Sequence, residues 1–292
     1  MKKYLYIIAI TIFCVACSEK VVLDLPGSQE KVVVEGYIES GEAPYVILTK
    51  SIPYYTPIDS NSLVELIIQD ADLVTVTNQF GIVDTLTVQY NFLSYPYVYY
   101  QSSNPKFIGE EGQSYDLKVI VDTVSLSATT TITPAIPLDS VWFQIEGDLD
   151  SLGVAYAHLT DPEELGNYYR WYTKRIGKDT RFVAPLGSVT DDKFYNGESF
   201  DFFYYREPDP FGEPENDFES FYFKLGDTVA VKFVTMDYNT FNFWKTMETD
   251  FGSQGNPFAA PVTTVSNIEG DGGLGVWGGY GVAIDTFYCE ID

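Results

Sequence analysis

The sequence predicts an all-β, mainly antiparallel protein. Short runs of alternating apolar and polar residues recur along the chain; in residues 114–122, Leu117 and Val119 alternate with Asp116 and Lys118. Such alternation is typical of half-buried strands. Turn residues rich in Gly, Pro, Ser and Asn separate these runs, and only one segment has a convincing helical period. These features together indicate β-sheet domains joined by short connections.

The chain begins with the features of a secretory signal. Lys2 and Lys3 precede the uncharged run 4–16. A membrane-spanning helix needs roughly 20 apolar residues, so this run has the length of a signal-peptide core and not of a span. We therefore predict a lipoprotein signal peptide over residues 1–16.

Cys17 follows the small residues at the end of this run, an order that resembles the bacterial lipobox, although the position that usually holds Leu is Cys14. We predict covalent diacylglycerol on Cys17, followed by a lipid-anchored tether over 17–31. The alternative is a simple cleaved signal in which Cys17 is an ordinary residue. Two or three acyl chains make a stable anchor, whereas one chain alone binds a membrane only marginally.

Residues 32–134 are predicted to form a β-sandwich of about 100 residues, since several short strands with frequent turns are typical of that architecture. A proline-containing segment, 133–141, then indicates a domain boundary. The expected strands of this first domain are 32–38, 43–52, 63–70, 73–79, 84–90, 114–122 and 126–134.

Residues 138–292 are predicted to form a second β domain that is rich in aromatic residues, which suit a pleated, half-buried surface. One amphipathic helix is expected near 238–251, with Asp237 or Asn239 as its cap and Gly252 as its stop. Its expected apolar stripe consists of Phe241, Trp244, Met247 and Phe251.

The chain is strongly acidic. It has 17 Lys and Arg against 42 Asp and Glu residues, and removal of residues 1–16 leaves a net charge of −27 with His neutral. Such a surface repels phosphate backbones, so we predict no nucleic acid partner. Cys289 is the only thiol expected in the mature chain besides the lipidated Cys17, which excludes an internal disulfide.

Two patterns resemble cofactor or catalytic motifs without their usual context. Gly270, Gly272 and Gly275 have G-x-G-x-x-G spacing, but a strand and not a helix is expected to follow them, so we predict a tight turn and no nucleotide. His158 is the only histidine and lies in a predicted strand, which argues against a catalytic base. We therefore predict no catalytic residue and no enzymatic activity.

Two candidate sites remain. The first is an exposed aromatic surface in residues 92–101, where Pro96 interrupts a regular strand; the alternative is that these rings fill a β core. The second is a structural calcium site in residues 146–153, for which the alternative is a polar hairpin tip, because the twelve-residue calcium-loop pattern is absent. The candidate surface residues are Tyr95, Tyr97, Tyr99 and Tyr100, and the candidate calcium ligands are Glu146, Asp148 and Asp150.

The chain resembles the Bacteroidetes-type lipoprotein family of unknown function DUF4249. The most specific parts of the resemblance are the opening "VVVEGYI…VILTKS" and the ending "NPF…P…SNI…G.GVWGGY". The resemblance implies an outer-membrane lipoprotein, often encoded beside a TonB-dependent receptor, whose first domain is similar to immunoglobulin-like or transthyretin-like sandwiches. It carries across only Cys17 as a functional residue, and "SEK" after it leaves open which face of the membrane the protein occupies.

The expected function is that of a non-enzymatic outer-membrane lipoprotein, an accessory or ligand-capturing partner of a TonB-dependent transporter. The alternative is a stand-alone lipoprotein that binds carbohydrate or peptide through exposed aromatic residues. A hydrolase with two carboxylates in one cleft is a third, weaker hypothesis.

Overall fold

A computed structural model describes residues 30–52, 65–92, 95–147, 149–210, 212, 218–253 and 262–291, and it confirms the all-β prediction. The predicted signal peptide, the lipidated Cys17 and most of the tether lie outside the described residues, so these remain predictions. Within the described part of the chain, no helix is long and apolar enough to cross a membrane.

Fifteen strands, one α-helix and a short 3-10 helix make up the described secondary structure. The strands are β1 Val32–Glu39, β2 Tyr45–Lys50, β3 Leu73–Asn78, β4 Val83–Tyr90, β5 Val98–Ser102, β6 Ser114–Val121, β7 Val124–Thr131, β8 Ser140–Ile145, β9 Leu152–Thr160, β10 Tyr168–Arg175, β11 Val189–Asp191, β12 Ser199–Tyr204, β13 Phe223–Lys224, β14 Thr228–Met236 and β15 Gly273–Tyr288. The helix, α1, is Tyr238–Ser253, and the 3-10 helix is Phe218–Phe221.

The strands form one sheet of eleven and one of four. The large sheet has the order β11-β10-β14-β15-β1-β2-β5-β4-β3-β6-β7, and the small sheet places β12, β13 and β8 against β9. Among the strand ladders of the described residues, only β1 with β15 is parallel. The mainly antiparallel prediction is therefore confirmed.

The last strand joins the two predicted domains. β15 pairs with β14 on one side and with β1 on the other, so the large sheet runs across the boundary expected near 134–138. Gly275 makes this parallel pairing possible, because its φ is +118° and a Cβ there would lie 1.8 Å from the Val34 carbonyl oxygen. The division into two domains, and the sandwich over 32–134, stay predictions.

The described residues contain four buried clusters, and the three largest show how the sheets are packed. One consists almost wholly of residues from the first half of the chain, and Ile268 and Trp277 are its members from the second half. Another lies between the small sheet and one face of β10 and β14, and includes Trp171 and Phe233. The third lies on the opposite face of the large sheet, where Phe241 of α1 packs near Tyr280. This opposite face also carries the candidate site.

The helix near 238–251 is confirmed, and Asp237 is its cap: the Thr240 amide donates to Asp237 Oδ1 at 2.8 Å. The predicted stripe is wrong at its end, because Phe251 is 63% exposed. The buried residues of α1 are Thr240, Phe241 and Phe243, all in its first two turns, where it contacts the sheet. Contact with the sheet therefore ends before the last turn.

Two strand predictions need correction. Residues 65–70 form no regular strand and share only an isolated bridge, Ile67 with Thr49; residues 53–64 lie outside the described part. Conversely, Pro96 was expected to interrupt any regular strand in 92–101, but Val98–Ser102 forms β5 between β2 and β4. The strand begins two residues after Pro96, so the proline does not disturb its pairing. The predicted glycine turn is confirmed, with positive φ at Gly270 and Gly272 before β15.

Candidate functional site

A pocket of about 480 Å³ lies on the large sheet, and we name it the tyrosine–cation pocket. Its floor comes from neighbouring strands β10, β14, β15, β1 and β2, and residues 180–184, the Tyr95–Pro96 segment and Trp244 of α1 border it. Ligand sites typically enclose 300–1,000 Å³. The side chains that define it are Glu35, Tyr37, Glu39, Tyr45, Tyr95, Arg170, Tyr172, Lys174, Arg181, Phe182, Lys232, Trp244 and Tyr280.

Strand alternation divides each strand between core and pocket. Along β1, Val34 and Ile38 are buried in the first cluster, whereas Glu35, Tyr37 and Glu39 point to the pocket. Successive side chains of a strand point to opposite faces, which accounts for this separation.

Strand β10 repeats the arrangement. Trp171 is buried between the sheets, while Arg170, Tyr172 and Lys174 face the pocket. Tyr172 lies opposite Lys232 of β14 in the strand register, so side chains of the two strands meet there.

Cations and aromatic rings alternate along one side of the pocket. The Arg170 guanidinium lies 3.7 Å from the Trp244 ring centroid and 5.1 Å from that of Tyr172. Lys232 Nζ lies 4.9 Å from the Tyr172 centroid and 5.2 Å from that of Phe182, which Lys174 approaches to 5.9 Å. Cation–π attraction therefore holds the charged side chains against the rings.

Stacked tyrosines form another side. Tyr45 stacks on Tyr37 at 5.0 Å between centroids and on Tyr99 at 4.7 Å, and Tyr37 approaches Tyr280 at 6.3 Å. Tyr280 accepts a hydrogen bond from Trp244 Nε1 at 2.7 Å, which fixes the indole beside Arg170. Burial raises the pKa of Tyr45 above its ordinary value, as do nearby carboxylates, so its hydroxyl stays protonated.

Two carboxylates face the pocket in different environments. Glu39 Oε1 accepts a hydrogen bond from Lys232 Nζ at 2.6 Å. Glu35 is open to water from the pocket, but protein atoms surround it on most sides. Burial therefore raises the pKa of Glu35, while the charges of Arg181 and Arg170 oppose that increase.

The pocket reverses the charge bias of the chain. Among the described residues, four basic side chains line it and only two acidic ones, although the chain has 17 basic and 42 acidic residues. Carboxylates at its edge balance part of this charge, since Arg181 Nε donates to Asp209 at 2.9 Å and Arg170 lies 3.6 Å from Glu248. The site thus combines flat apolar faces with charged hydrogen-bonding groups.

The four predicted surface tyrosines have different environments. Tyr95 lines the pocket, with its ring 5.3 Å from Arg181, and burial raises its pKa to about 12. Tyr99 stacks behind Tyr45, and Tyr97 is 47% exposed. Tyr100 was predicted to be exposed, and this is wrong: it is 4% exposed and donates a hydrogen bond to the Ile68 carbonyl. Tyr100 belongs to β5, a strand that was not expected so close to Pro96.

The calcium prediction is not settled by the described residues. Glu146 accepts a long hydrogen bond from the Tyr205 hydroxyl at 3.4 Å, and Asp150 lies on the connection between β8 and β9. Asp148 lies outside the described part. Within that part, no group of three or more potential metal-ligating side chains was found.

A second aromatic surface crosses the small sheet. Tyr156 of β9 stacks on Trp142 of β8 at 5.5 Å and lies 5.1 Å from Phe203 of β12, which approaches Tyr205 at 5.8 Å. Phe203 and Tyr205 are exposed. His158 lies on this sheet and contacts Asp201 at 2.5 Å.

Sequence reasoning missed most of the tyrosine–cation pocket. The alternation of Arg170, Tyr172 and Lys174 along one strand was the available signal, because it places two cations and a ring on one face. The meeting of this face with Glu35 and Tyr280 depends on pairing between strands far apart in the chain.

Comparison with known proteins gives one result. The model of the family described as "Domain of unknown function (DUF4249)" matches residues 18–285. Searches of curated proteins and of solved structures found no match. The family match includes every residue that lines the pocket. The chain therefore belongs to the DUF4249 family.

Proposed function

We propose that this protein is a non-enzymatic outer-membrane lipoprotein that captures a ligand in the tyrosine–cation pocket and acts with a TonB-dependent transporter. The pocket is the observation that carries the proposal. It has the volume of a small-molecule site, several aromatic faces and charged groups that converge on one space.

Lipid anchoring supports the capture role. A strongly acidic chain is repelled by anionic lipid, so charge alone would not hold the protein at the membrane. Diacylglycerol on Cys17 would provide the anchor that is needed. The transporter partnership is supported by the family resemblance, since similar lipoproteins are often encoded beside TonB-dependent receptors.

A binding role fits the pocket carboxylates better than hydrolysis does. Glu35 and Glu39 are four residues apart on β1, so their Cα atoms are separated by about 13 Å. Hydrolases with paired carboxyl groups hold them about 5 to 9.5 Å apart. Glu39 is also engaged by Lys232.

Affinity purification tests the proposal. The full-length tagged protein is cross-linked in intact cells and purified from gently solubilised outer membranes, with an untagged strain as the control. We expect a TonB-dependent receptor to co-purify in near-equimolar amount. Purification of the lipoprotein without any such receptor would contradict the transporter partnership.

The second candidate function is a stand-alone lipoprotein that binds carbohydrate or peptide. The aromatic surface of the small sheet favours it, because Trp142, Tyr156 and Phe203 form a row on one side of that sheet. Glycan-array binding that disappears on Phe203→Ala, without receptor co-purification, would favour this alternative.

A further inference from the structure

We propose that the ligand of the tyrosine–cation pocket is a sugar that carries an acidic group. This inference rests on the proposed capture function and names the chemical class that the pocket recognises. Three groups in the pocket lack full partners, and together they specify the ligand.

The first group is Arg170. Its side chain is 8% exposed, and its Nε has no hydrogen-bond partner among the described residues. Glu248 lies 3.6 Å from the guanidinium, which is beyond a good hydrogen bond. The enclosed Nε leaves the guanidinium short of acceptors, and an anionic ligand group in the pocket can bind its terminal nitrogens.

The second group is Lys174. Its ammonium donates to the Thr180 carbonyl at 3.2 Å, and within the described chain no carboxylate lies within ion-pair distance of it. By contrast, Lys232 is paired with Glu39. Lys174 therefore provides a cation on the pocket wall that a ligand anion can neutralise.

The third group is Glu35. In the described residues no hydrogen-bond donor pairs with its carboxylate, which is open to the pocket. A carboxylate only accepts hydrogen bonds when it is ionised. The ligand must then bring donors as well as an anion, and the hydroxyl groups of a sugar are such donors.

The aromatic rings of the pocket pack against other protein groups. Tyr45 lies between Tyr37 and Tyr99, and Tyr172 contacts both Arg170 and Lys232, so these rings border the ligand space without offering a free stacking platform. A volume of about 480 Å³ has room for a small saccharide. The acidic group can be a carboxylate or a sulfate, since both accept hydrogen bonds from Arg and Lys.

Binding to matched sugars tests the inference, with the fluorescence of the purified full-length protein as readout. The probes are digalacturonate, its methyl ester and galactobiose 6-sulfate. We expect at least one acidic sugar to bind about tenfold or more tightly than the ester, as charge-assisted hydrogen bonds predict. Comparison of digalacturonate with galactobiose 6-sulfate shows whether the pocket recognises a carboxylate or a sulfate.

Lys174→Gln should weaken binding of the acidic sugar about tenfold and leave binding of the ester unchanged. Lys118→Gln, at an exposed position on β6, is the matched control and should change neither. Circular dichroism verifies that both variants are folded.

Equal binding of acid and ester would overturn the acidic-sugar inference, and so would failure of both acidic sugars to bind. The proposed capture function is tested separately, by native mass spectrometry of the protein purified from its own outer membrane. A bound species in that experiment, together with a preference for the neutral ester, would refute only the ligand class.

Discussion

Glu35 is a pocket residue whose ionisation affects the stability of the fold. Burial raises its pKa above the ordinary value of 4.5, so ionisation of Glu35 costs more in the folded chain than in the unfolded one. The penalty is absent below the unfolded pKa and grows as the pH rises through the folded pKa.

Glu35→Gln should therefore raise the melting temperature at pH 7 and have a much smaller effect at pH 4, where Glu35 is mostly protonated in both the folded and the unfolded state. Calorimetry at the two pH values measures this, with Glu42→Gln in an exposed turn as the control. A lower melting temperature at pH 7 would mean that attraction to Arg181 and Arg170 outweighs the burial of the charge.

The proposed lipid on Cys17 is predicted to determine where the protein resides. Cys17→Ser should move most of the protein from the membrane fraction to the soluble fraction, because the acyl chains provide the only anchor that we propose. Cys14→Leu restores the usual lipobox residue and should leave the protein membrane-bound. A Cys17→Ser protein that stays in the membrane fraction would contradict lipid anchoring.

At the scale of elements, Asp237 connects α1 to both halves of the large sheet. Its Oδ1 caps the helix, and its Oδ2 accepts hydrogen bonds from Thr130 Oγ1 at 2.7 Å and the Thr131 amide at 2.9 Å. Thr130 Oγ1 in turn accepts from the Gly279 amide of β15. One carboxylate thus links α1, β7 and β15.

Asp237→Ala should lower the free energy of unfolding by about 2 kcal/mol, the sum expected for a lost cap and lost charge-assisted bonds. Asp237→Asn retains an oxygen for the cap and should lose only about half as much. Urea denaturation measures both. Equal losses would show that the cap contributes little.

Most elements could be predicted because their residues carry a local signal. Leu117 and Val119 alternate with polar neighbours in β6, and the cap and apolar residues of α1 are close in sequence. β5 could not be predicted, since Pro96 obscured a strand whose Tyr100 is held by contacts with β2 and β4. The pocket could not be predicted either, since Glu39 and Tyr280 lie opposite each other only through the parallel pairing of β1 with β15.

At the scale of the molecule, Trp277 joins the first and second halves. It is 0% exposed, packs within the first-half cluster, and donates from Nε1 to the Tyr115 carbonyl at 3.0 Å. Gly36 leaves room for it, because a Cβ there would lie 2.9 Å from the indole. The side chain of Asn267 donates a hydrogen bond to the Trp277 carbonyl and accepts one from the Trp277 amide.

Trp277→Ala should destabilise the whole protein by about 3 to 5 kcal/mol, as expected for removal of a fully buried aromatic residue. Trp142→Ala, on the half-buried row of the small sheet, is the control and should cost less. Chemical denaturation followed by two probes is the measurement. A loss confined to one half of the chain would show that β15 does not couple the halves.

The pocket unites residues from both ends of the chain, and ligand capture there is the central claim. Its most direct test is native mass spectrometry of the protein purified from its own outer membrane, which should show a bound species of a few hundred daltons, as the pocket volume suggests. Tyr172→Ala should lose this species, while Tyr90→Ala, at an exposed position outside the pocket, should retain it. A wild-type protein without any bound mass, or a mass that persists in Tyr172→Ala, would contradict capture in this pocket.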